Sequence, residues 1–195
     1  MEKNFEMPVI ITGPGGSGKT TVAYELCDKQ GSMFQRIREV TTRPKRSDTD
    51  DEYIFVDERT FNEYTRDDAF IEQFVYRGWG YGALKEDVLK CVRTPVLVLG
   101  AAQLNQLYRY FSTSDLFVVN LFAANDVLTS RMLNRGDNPA EVKRRVSNAV
   151  FEYTGIKHFN IDMLVDTGIQ SPERIAFDIM MNRSAKMRVL NYGRD

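Results

Sequence analysis

Residues 9–28 read VIITGPGGSGKTTVAYELCD, and the organisation of the whole chain follows from this stretch. Three apolar residues, Val9, Ile10 and Ile11, lead into Gly13-Pro14-Gly15-Gly16-Ser17-Gly18-Lys19-Thr20, and helix-compatible residues follow, starting with Thr21. Those eight residues satisfy the pattern G-x-x-x-x-G-K-[ST] at every fixed position. A polyphosphate is wrapped by successive backbone N–H groups, and the backbone approaches closely only where side chains are small. A helix opening near Gly18 turns the positive end of its dipole toward the same anion. Lys19 has the reach for β- and γ-phosphates, and the Thr20 hydroxyl can ligate Mg2+. The bland alternative is a glycine-rich turn between a strand and a helix. Pattern and strand–loop–helix context agree, so residues 13–21 imply a site for a nucleoside triphosphate.

Composition bounds the rest. A chain of 195 residues suits one globular core with room for a small inserted subdomain. With 43% hydrophobic and 27% charged residues it reads as an ordinary globular protein. Lys plus Arg (26) nearly balances Asp plus Glu (27), so no global field favours nucleic acid or an anionic membrane. Cys27 and Cys91 lack metal-type spacing and fit a reducing compartment better than a disulfide framework. No extended apolar region precedes the glycine-rich loop, and no stretch approaches the roughly 18 apolar residues of a membrane span. The expectation is a soluble, cytoplasmic protein, monomer or homodimer, with a small-molecule partner.

Taken in order, residues 7–12 read as a buried strand and residues 20–29 as a helix broken by Gly31-Ser32. Residues 34–40 read as a strand running into Thr41-Thr42-Arg43-Pro44-Lys45-Arg46, where Pro44 keeps Arg43 out of a helix. Residues 47–52 are a polar, acidic loop and 52–56 a strand. Asp57 is a candidate N-cap for a helix to about residue 65. Residues 70–76 read as a strand and 77–82 as a hairpin or loop, so 43–82 looks like a small, mostly β insertion.

The second half alternates. Residues 83–93 read as helix and 95–99 as a continuous apolar strand. Leu104, Leu107, Tyr108 and Phe111 recur at the spacing of an amphipathic helix. Strand 116–122, helix 125–133, a flexible connection at 134–139, a helix to 153, strand 161–165 and helix 172–181 complete the chain, leaving 184–195 unplaced. Such alternation implies an α/β fold with a parallel sheet flanked by helices.

The order and spacing of five motifs carry a family resemblance. The phosphate loop, Thr41-Thr42-Arg43-Pro44-Lys45-Arg46, Tyr53-x-Phe55-Val56, Phe70-Ile71-Glu72 and Tyr81-Gly82 together resemble guanylate kinase. Arg131-(x)3-Arg135-Gly136 and Arg144-Arg145-Val146 look like that family's lid. The resemblance covers residues 7 to about 166. It implies a P-loop kinase moving the γ-phosphoryl group of ATP to GMP, with Mg2+. Its core would be 1–42 and 83–195, with a lid at about 131–145 and an NMP-binding subdomain at 43–82.

The residues also make sense one by one. Arg43 and Arg46, close together in a constrained turn, suit a clamp for one monophosphate. A solvated basic turn or a nucleic-acid patch is the alternative, and near-neutral charge weakens the second. By resemblance the Tyr53 and Tyr81 hydroxyls complete the cage, though half-exposed packing explains either one singly. Guanine presents N1–H and a 2-amino group side by side, and one carboxylate can accept from both. By resemblance Glu72 is that carboxylate; a solvent-facing strand residue is its alternative. Lys19, Arg131, Arg135 and Arg145 are the candidates to surround the transferring group and exclude water, with Arg144 a neighbour. His158, the single histidine, has no partner pattern.

Three departures separate this chain from the resemblance. Glu39 stands where the family has a serine that helps to read guanine. Leu99-Gly100-Ala101-Ala102-Gln103 replaces a D-x-D stretch, so both aspartates are lost. Ala83 occupies the position of a small hydroxyl residue near the base. Altered base-reading groups relax or redirect specificity. Three readings follow: a kinase for GMP or dGMP; the same chemistry on a different or modified (deoxy)nucleotide or other small phosphate; or a binding module without turnover, against which the intact residues 13–20 argue.

Overall fold

Strand β1 (Val9–Thr12) is the middle of a five-stranded sheet, and both of its faces are covered. The structure is a computed structural model describing residues 7–28, 32–45, 50–156 and 158–192. The sheet also contains β2 (Phe34–Arg36), β7 (Thr94–Val98), β8 (Phe117–Phe122) and β9 (Met163–Asp166), in the order β2-β7-β1-β8-β9. All pairings are parallel. Successive side chains of a strand point to opposite faces. Val9 and Ile11 pack with Val22, Ala23 and Leu26 of α1 (Lys19–Cys27) and with Ile175 and Ile179 of α7 (Pro172–Tyr192). Ile10 packs on the other side with Leu97, Val118 and the Leu104 and Leu107 stripe of α4 (Ala101–Leu107). Burial on both sides is why these strands read as unbroken apolar runs. The fold is α/β, with a parallel sheet flanked by helices, as the alternation implied.

A second sheet has four strands in the order β4-β3-β6-β5. They are β3 (Val40–Thr41), β4 (Ile54–Phe55), β5 (Phe70–Tyr76) and β6 (Trp79–Leu84). Helix α2 (Glu58–Arg66) packs Phe61 against Phe70, and the Asp57 carboxylate caps it by accepting from the Thr60 N–H at 2.8 Å. Helices α3 (Lys85–Leu89), α5 (Asn125–Asn134) and α6 (Pro139–Ile156) complete the fold.

Several expectations need correction. Residues 34–40 are not one strand: β2 belongs to the large sheet and β3 to the small one. Phe34, Ile37 and Val40 are the buried residues, and a spacing of three cannot stay on one face of a strand, so the chain bends between them. Of the two readings of residues 77–82, the hairpin is the one present: Arg77-Gly78, both at positive φ, is the turn and the rest is strand. Gly80 and Gly82 imitate a loop in sequence, but each lies under an aromatic ring. A Cβ there would meet Phe61 or Phe70 at 2.7 Å. Residues 83–93 are helical only over α3, because β6 runs on to Leu84 to pair with Phe70.

The last helix does not stop at 181 but continues to Tyr192. Its polar residues are anchors: Arg183, 3% exposed, donates to the Met7 carbonyl at 2.8 Å and to Thr94 Oγ1 at 3.1 Å. Lys186 donates to the Leu116 carbonyl at 2.8 Å and pairs with Asp162. These contacts tie the helix to the starts of four neighbouring strands, β7, β1, β8 and β9, opposite the edge that carries the phosphate loop. Gly31 and residues 193–195 lie outside the described residues.

Candidate active site

The phosphate loop leaves the carboxyl end of β1, at the crevice edge where open α/β sheets place ligands. Gly13, Gly16 and Gly18 all have positive φ, at 140°, 81° and 85°. At Gly13 a Cβ would sit 2.2 Å from the Leu121 carbonyl oxygen, so only glycine fits. Pro14 and Ser17 are buried behind the loop, while Gly15, Gly16, Gly18, Lys19, Thr20 and Thr21 line a cavity of about 330 Å³. Lys19 Nζ lies across the loop, donating to the carbonyls of Gly13 at 2.7 Å and Pro14 at 3.0 Å. Thr20 Oγ1, in the first turn of α1, donates to Glu52 Oε1 at 2.8 Å.

The same cavity is lined from the small sheet by Glu39, Arg43, Glu52, Tyr53 and Tyr81. Arg43 is 8% exposed and its guanidinium lies 5.2 Å from both the Tyr53 and Phe55 ring centroids. It donates to Asp50 Oδ2 at 2.9 Å and to the Pro44 carbonyl. Tyr81 stacks on Phe74 and meets Tyr53 edge-on. Burial raises the Tyr53 phenol above its ordinary value, with the Glu39 charge the next cause, so the hydroxyl stays protonated and able to donate. Arg46 lies outside the described residues.

Glu72 and Ala83 are buried and do not line the cavity. Glu72 is 1% exposed and its Oε1 accepts from the Ala83 backbone N–H at 2.9 Å. The β5–β6 pairing shifts register between Phe70 and Glu72, which lets successive residues Ile71 and Glu72 both be buried. Val98, Leu99 and Gly100 form an apolar wall where the resemblance would place acidic groups. Glu52, which the sequence reading left in a polar loop, instead brings a carboxylate to Thr20 from the opposite side. Among the described residues no cluster of three or more His, Cys, Asp or Glu side chains is arranged for a metal. A hydroxyl at the phosphate loop with one nearby carboxylate is nonetheless a donor set that fits Mg2+, which takes few protein ligands and keeps phosphate and water oxygens.

The arginines of α5, α6 and their connection contribute unequally to the cavity. Arg135 and Arg145 line the cavity, and the Arg145 side chain runs beside Gly15. Arg131 is on α5 away from the wall, donating to the Thr167 hydroxyl at 2.8 Å, the Thr167 carbonyl at 2.6 Å and the Gly16 carbonyl at 3.4 Å. Arg144 faces outward to the β5–β6 hairpin. His158 is exposed.

Sequence reasoning missed the carboxylate around which these arginines gather. Glu141, on the first turn of α6, accepts from the Tyr76 hydroxyl at 2.9 Å, from Arg144 at 2.9 and 3.0 Å and from Arg145 at 3.0 Å, and it pairs with Arg77. Asp137 holds Arg135 and Arg145 together. The spacing of Glu141 to Arg144 and Arg145 is the helical i+3, i+4 pattern, the signal from which the cluster was legible. Its partners Tyr76 and Arg77 carry no such signal.

Hydrogen bonds from Arg144, ahead of those from Tyr76 and Arg145, lower the Glu141 carboxyl from the ordinary 4.5 to about 2. A depressed carboxylate adds stability above its unfolded value and loses it as pH falls through its folded value. Wild-type melting temperature should therefore fall more steeply than that of Glu141→Gln as pH drops from 4.5 toward 2. Parallel melting curves for the two proteins would show that this contact adds nothing.

A loop of the phosphate-binding pattern and the Arg43, Tyr53 and Tyr81 group open onto one cavity that Arg135 and Arg145 also line, an arrangement compatible with a P-loop kinase. Comparison with known proteins agrees. The family model described as guanylate kinase matches residues 6–168. A guanylate kinase of Thermobifida fusca (strain YX) is 32% identical over 165 residues, covering 82% of this chain and 83% of the relative. One of Prochlorococcus marinus subsp. pastoris is 30% identical over 166 residues, covering 81% and 88%. The crystal structure of guanylate kinase from Anaplasma phagocytophilum superposes with a TM-score of 0.67 over 96% of this chain and 89% of that one. At 18% identity that likeness speaks for the fold alone. The chain belongs to the guanylate kinase family and is a nucleoside monophosphate kinase, a phosphotransferase using small nucleotide substrates.

Proposed function

We propose that this kinase moves the γ-phosphoryl group of ATP to GMP or dGMP. The observation that supports the reading is one cavity lined by Lys19, Arg43, Tyr53, Arg135 and Arg145, basic and phenolic groups suited to two phosphates. Backbone groups of residues 13–18 and the α1 terminus cradle the β- and γ-phosphates, and Lys19 swings from the Gly13 carbonyl to the transferring group. Thr20, with Glu52 hydrogen-bonded to it, would hold Mg2+, which would supply charge neutralisation to the transferring phosphates.

On the acceptor side Arg43, joined by Arg46, forks onto the phosphate, with the Tyr53 and Tyr81 hydroxyls donating beside it. Glu72, whose Oε2 has no hydrogen-bond partner in the structure, receives the N1–H and 2-amino group of guanine, with Glu39 lining the cavity beside it, and Ala83 fixes Glu72 through its backbone N–H rather than meeting the base by a hydroxyl. Arg135 and Arg145 close over the transferring group from residues 131–145 and exclude water. Arg131 braces this lid to the loop after β9 and to the Gly16 carbonyl. Residues 43–82 act as the acceptor-binding subdomain on a core of 1–42 and 83–195.

No helix among the described residues is long and apolar enough to cross a membrane. Cys27 and Cys91 are free and buried, and burial pushes the Cys27 thiol up to about 12. Free thiols suit a reducing compartment, so the enzyme is placed in the cytoplasm, acting on nucleotides as a monomer or homodimer. The test is ADP release from Mg-ATP across ribo- and deoxynucleoside monophosphates, with a no-acceptor control. Selective turnover of GMP or dGMP is expected. Turnover of a different acceptor would make Glu39, Ala83, Leu99 and Ala101 a redirected specificity set.

A further inference from the structure

Glu141 stands where the small sheet meets helix α6. It is 8% exposed and faces three guanidiniums and one phenol. Its Oε1 accepts from the Tyr76 hydroxyl at 2.9 Å, from Arg144 at 2.9 Å and from Arg145 Nε at 3.0 Å. Its Oε2 accepts from Arg144 Nε at 3.0 Å and pairs with Arg77. Arg144 also donates to the Tyr76 hydroxyl at 2.6 Å, so the phenol is held from two sides. Tyr76 ends β5 and Arg77 opens the turn to β6, so both move with the small sheet.

Arg145 is the member of this group that lies on the phosphate loop. Its Nε donates to Glu141 and its Nη1 to Asp137 at 3.3 Å, which fixes the plane of the guanidinium. A Cβ on Gly15 would come within 3.4 Å of Arg145 Cδ, so the side chain rests against the loop backbone. One oxygen, Glu141 Oε1, therefore serves the hairpin through Tyr76 and the phosphate loop through Arg145. The carboxylate also lets Arg77 approach Arg144 and Arg145, since three guanidiniums alone repel one another. When the hairpin withdraws, both oxygens of Glu141 lose a partner, and the group that orients Arg145 is free to turn.

We propose that Glu141 is a positioning residue for phosphoryl transfer, holding Arg145 in place on the phosphate loop only while the β5–β6 hairpin is docked on α6. The position of the small sheet is thereby tied to the placement of an arginine at the transferring group. This rests on the reading of Arg145 as a residue at that group and of residues 43–82 as the acceptor-binding subdomain. A small misplacement of such a group is costly in rate, which is why a contact remote from the reacting atoms matters.

The test is a double-mutant cycle with the monophosphate that the wild type turns over, melting curves confirming that each variant folds. Tyr76→Phe and Arg77→Gln remove only the hairpin's half of the contact. Each should lower kcat about 2- to 10-fold, the loss of one hydrogen bond, with the KM for ATP little changed. In an Arg145→Ala background, itself slower than the wild type, neither should lower kcat further, because the hairpin acts through that arginine. Equal losses in both backgrounds would overturn the proposal and make the contact a separate support of the fold. An unchanged kcat for both hairpin variants, or for Arg145→Ala, would overturn it as well.

Trp79, the single tryptophan, pairs with Tyr76 across the turn and reports on the hairpin directly. Whatever draws on Arg145 must act back on the hairpin, since coupling is reciprocal. Mg2+ with the β,γ-imido analogue of ATP should therefore shift Trp79 emission in the wild type and leave it unshifted in Glu141→Gln. An equal shift in the two proteins, or none in the wild type, would overturn the coupling. This readout needs no acceptor. Failure of the wild type to turn over GMP would overturn the acceptor assignment, while the fluorescence still decides the role of Glu141.

Discussion

Lys19→Ala should lower kcat about 10²- to 10³-fold and leave the fold intact, the usual loss when one preorganised charge aimed at the transferring group is removed. In the structure Lys19 Nζ rests on the Gly13 and Pro14 carbonyls at 2.7 and 3.0 Å, poised on the wall that Arg135 and Arg145 share. The ammonium is a compact charge on a flexible stem, so it can leave those carbonyls for the β- and γ-phosphates without disturbing the loop. The loop's own shape depends on glycines at positive φ and on the fit of Gly13 against Leu121, none of which the substitution touches. ADP release at saturating acceptor, with melting curves for the variant, checks this. Turnover close to that of the wild type would remove residues 13–20 from the ATP site.

The second large effect is expected at Arg43. Arg43→Ala should reduce kcat/KM for the acceptor about 10²-fold, equally for every nucleoside monophosphate, with the KM for ATP unchanged. The magnitude is that of one to two lost hydrogen bonds to a charged phosphate. Equality across bases is the informative part, because phosphate is common to all acceptors. Arg43→Lys should recover only part of the loss, since a point charge cannot replace a fork pressed between Tyr53 and Phe55. Arg43 is also half of a nearly buried pair with Asp50, so circular dichroism and melting must accompany the kinetics. A loss confined to guanine acceptors would move Arg43 from phosphate to base. No loss at all would place the acceptor phosphate elsewhere.

The carboxyl pair and the lid show how differently two parts of one site are written in the chain. Glu141 and its arginines form a local helical pattern, and only their docking on Tyr76 and Arg77 needed coordinates. Glu39 and Glu72 lie far apart in sequence, one before β3 and one on β5. They come near each other because β6 pairs with both β3 and β5.

The sequence by itself determined the parallel sheet, the phosphate loop and the order of the motifs. Those features rest on local rules: apolar runs long enough for strands buried on both faces, glycine where φ must be positive, and a Lys-Thr step at a helix start. Tertiary structure alone decided that residues 34–40 divide between two sheets, and that Gly80 and Gly82 belong to a strand under Phe61 and Phe70. It also decided that the final helix runs to Tyr192 on anchors supplied by Arg183 and Lys186, and that Glu52 reaches Thr20. The physical reason is common to all four. Each depends on a partner distant in the chain, a ring, a carbonyl or a hydroxyl, and neither periodicity nor propensity carries information about which distant group will be there.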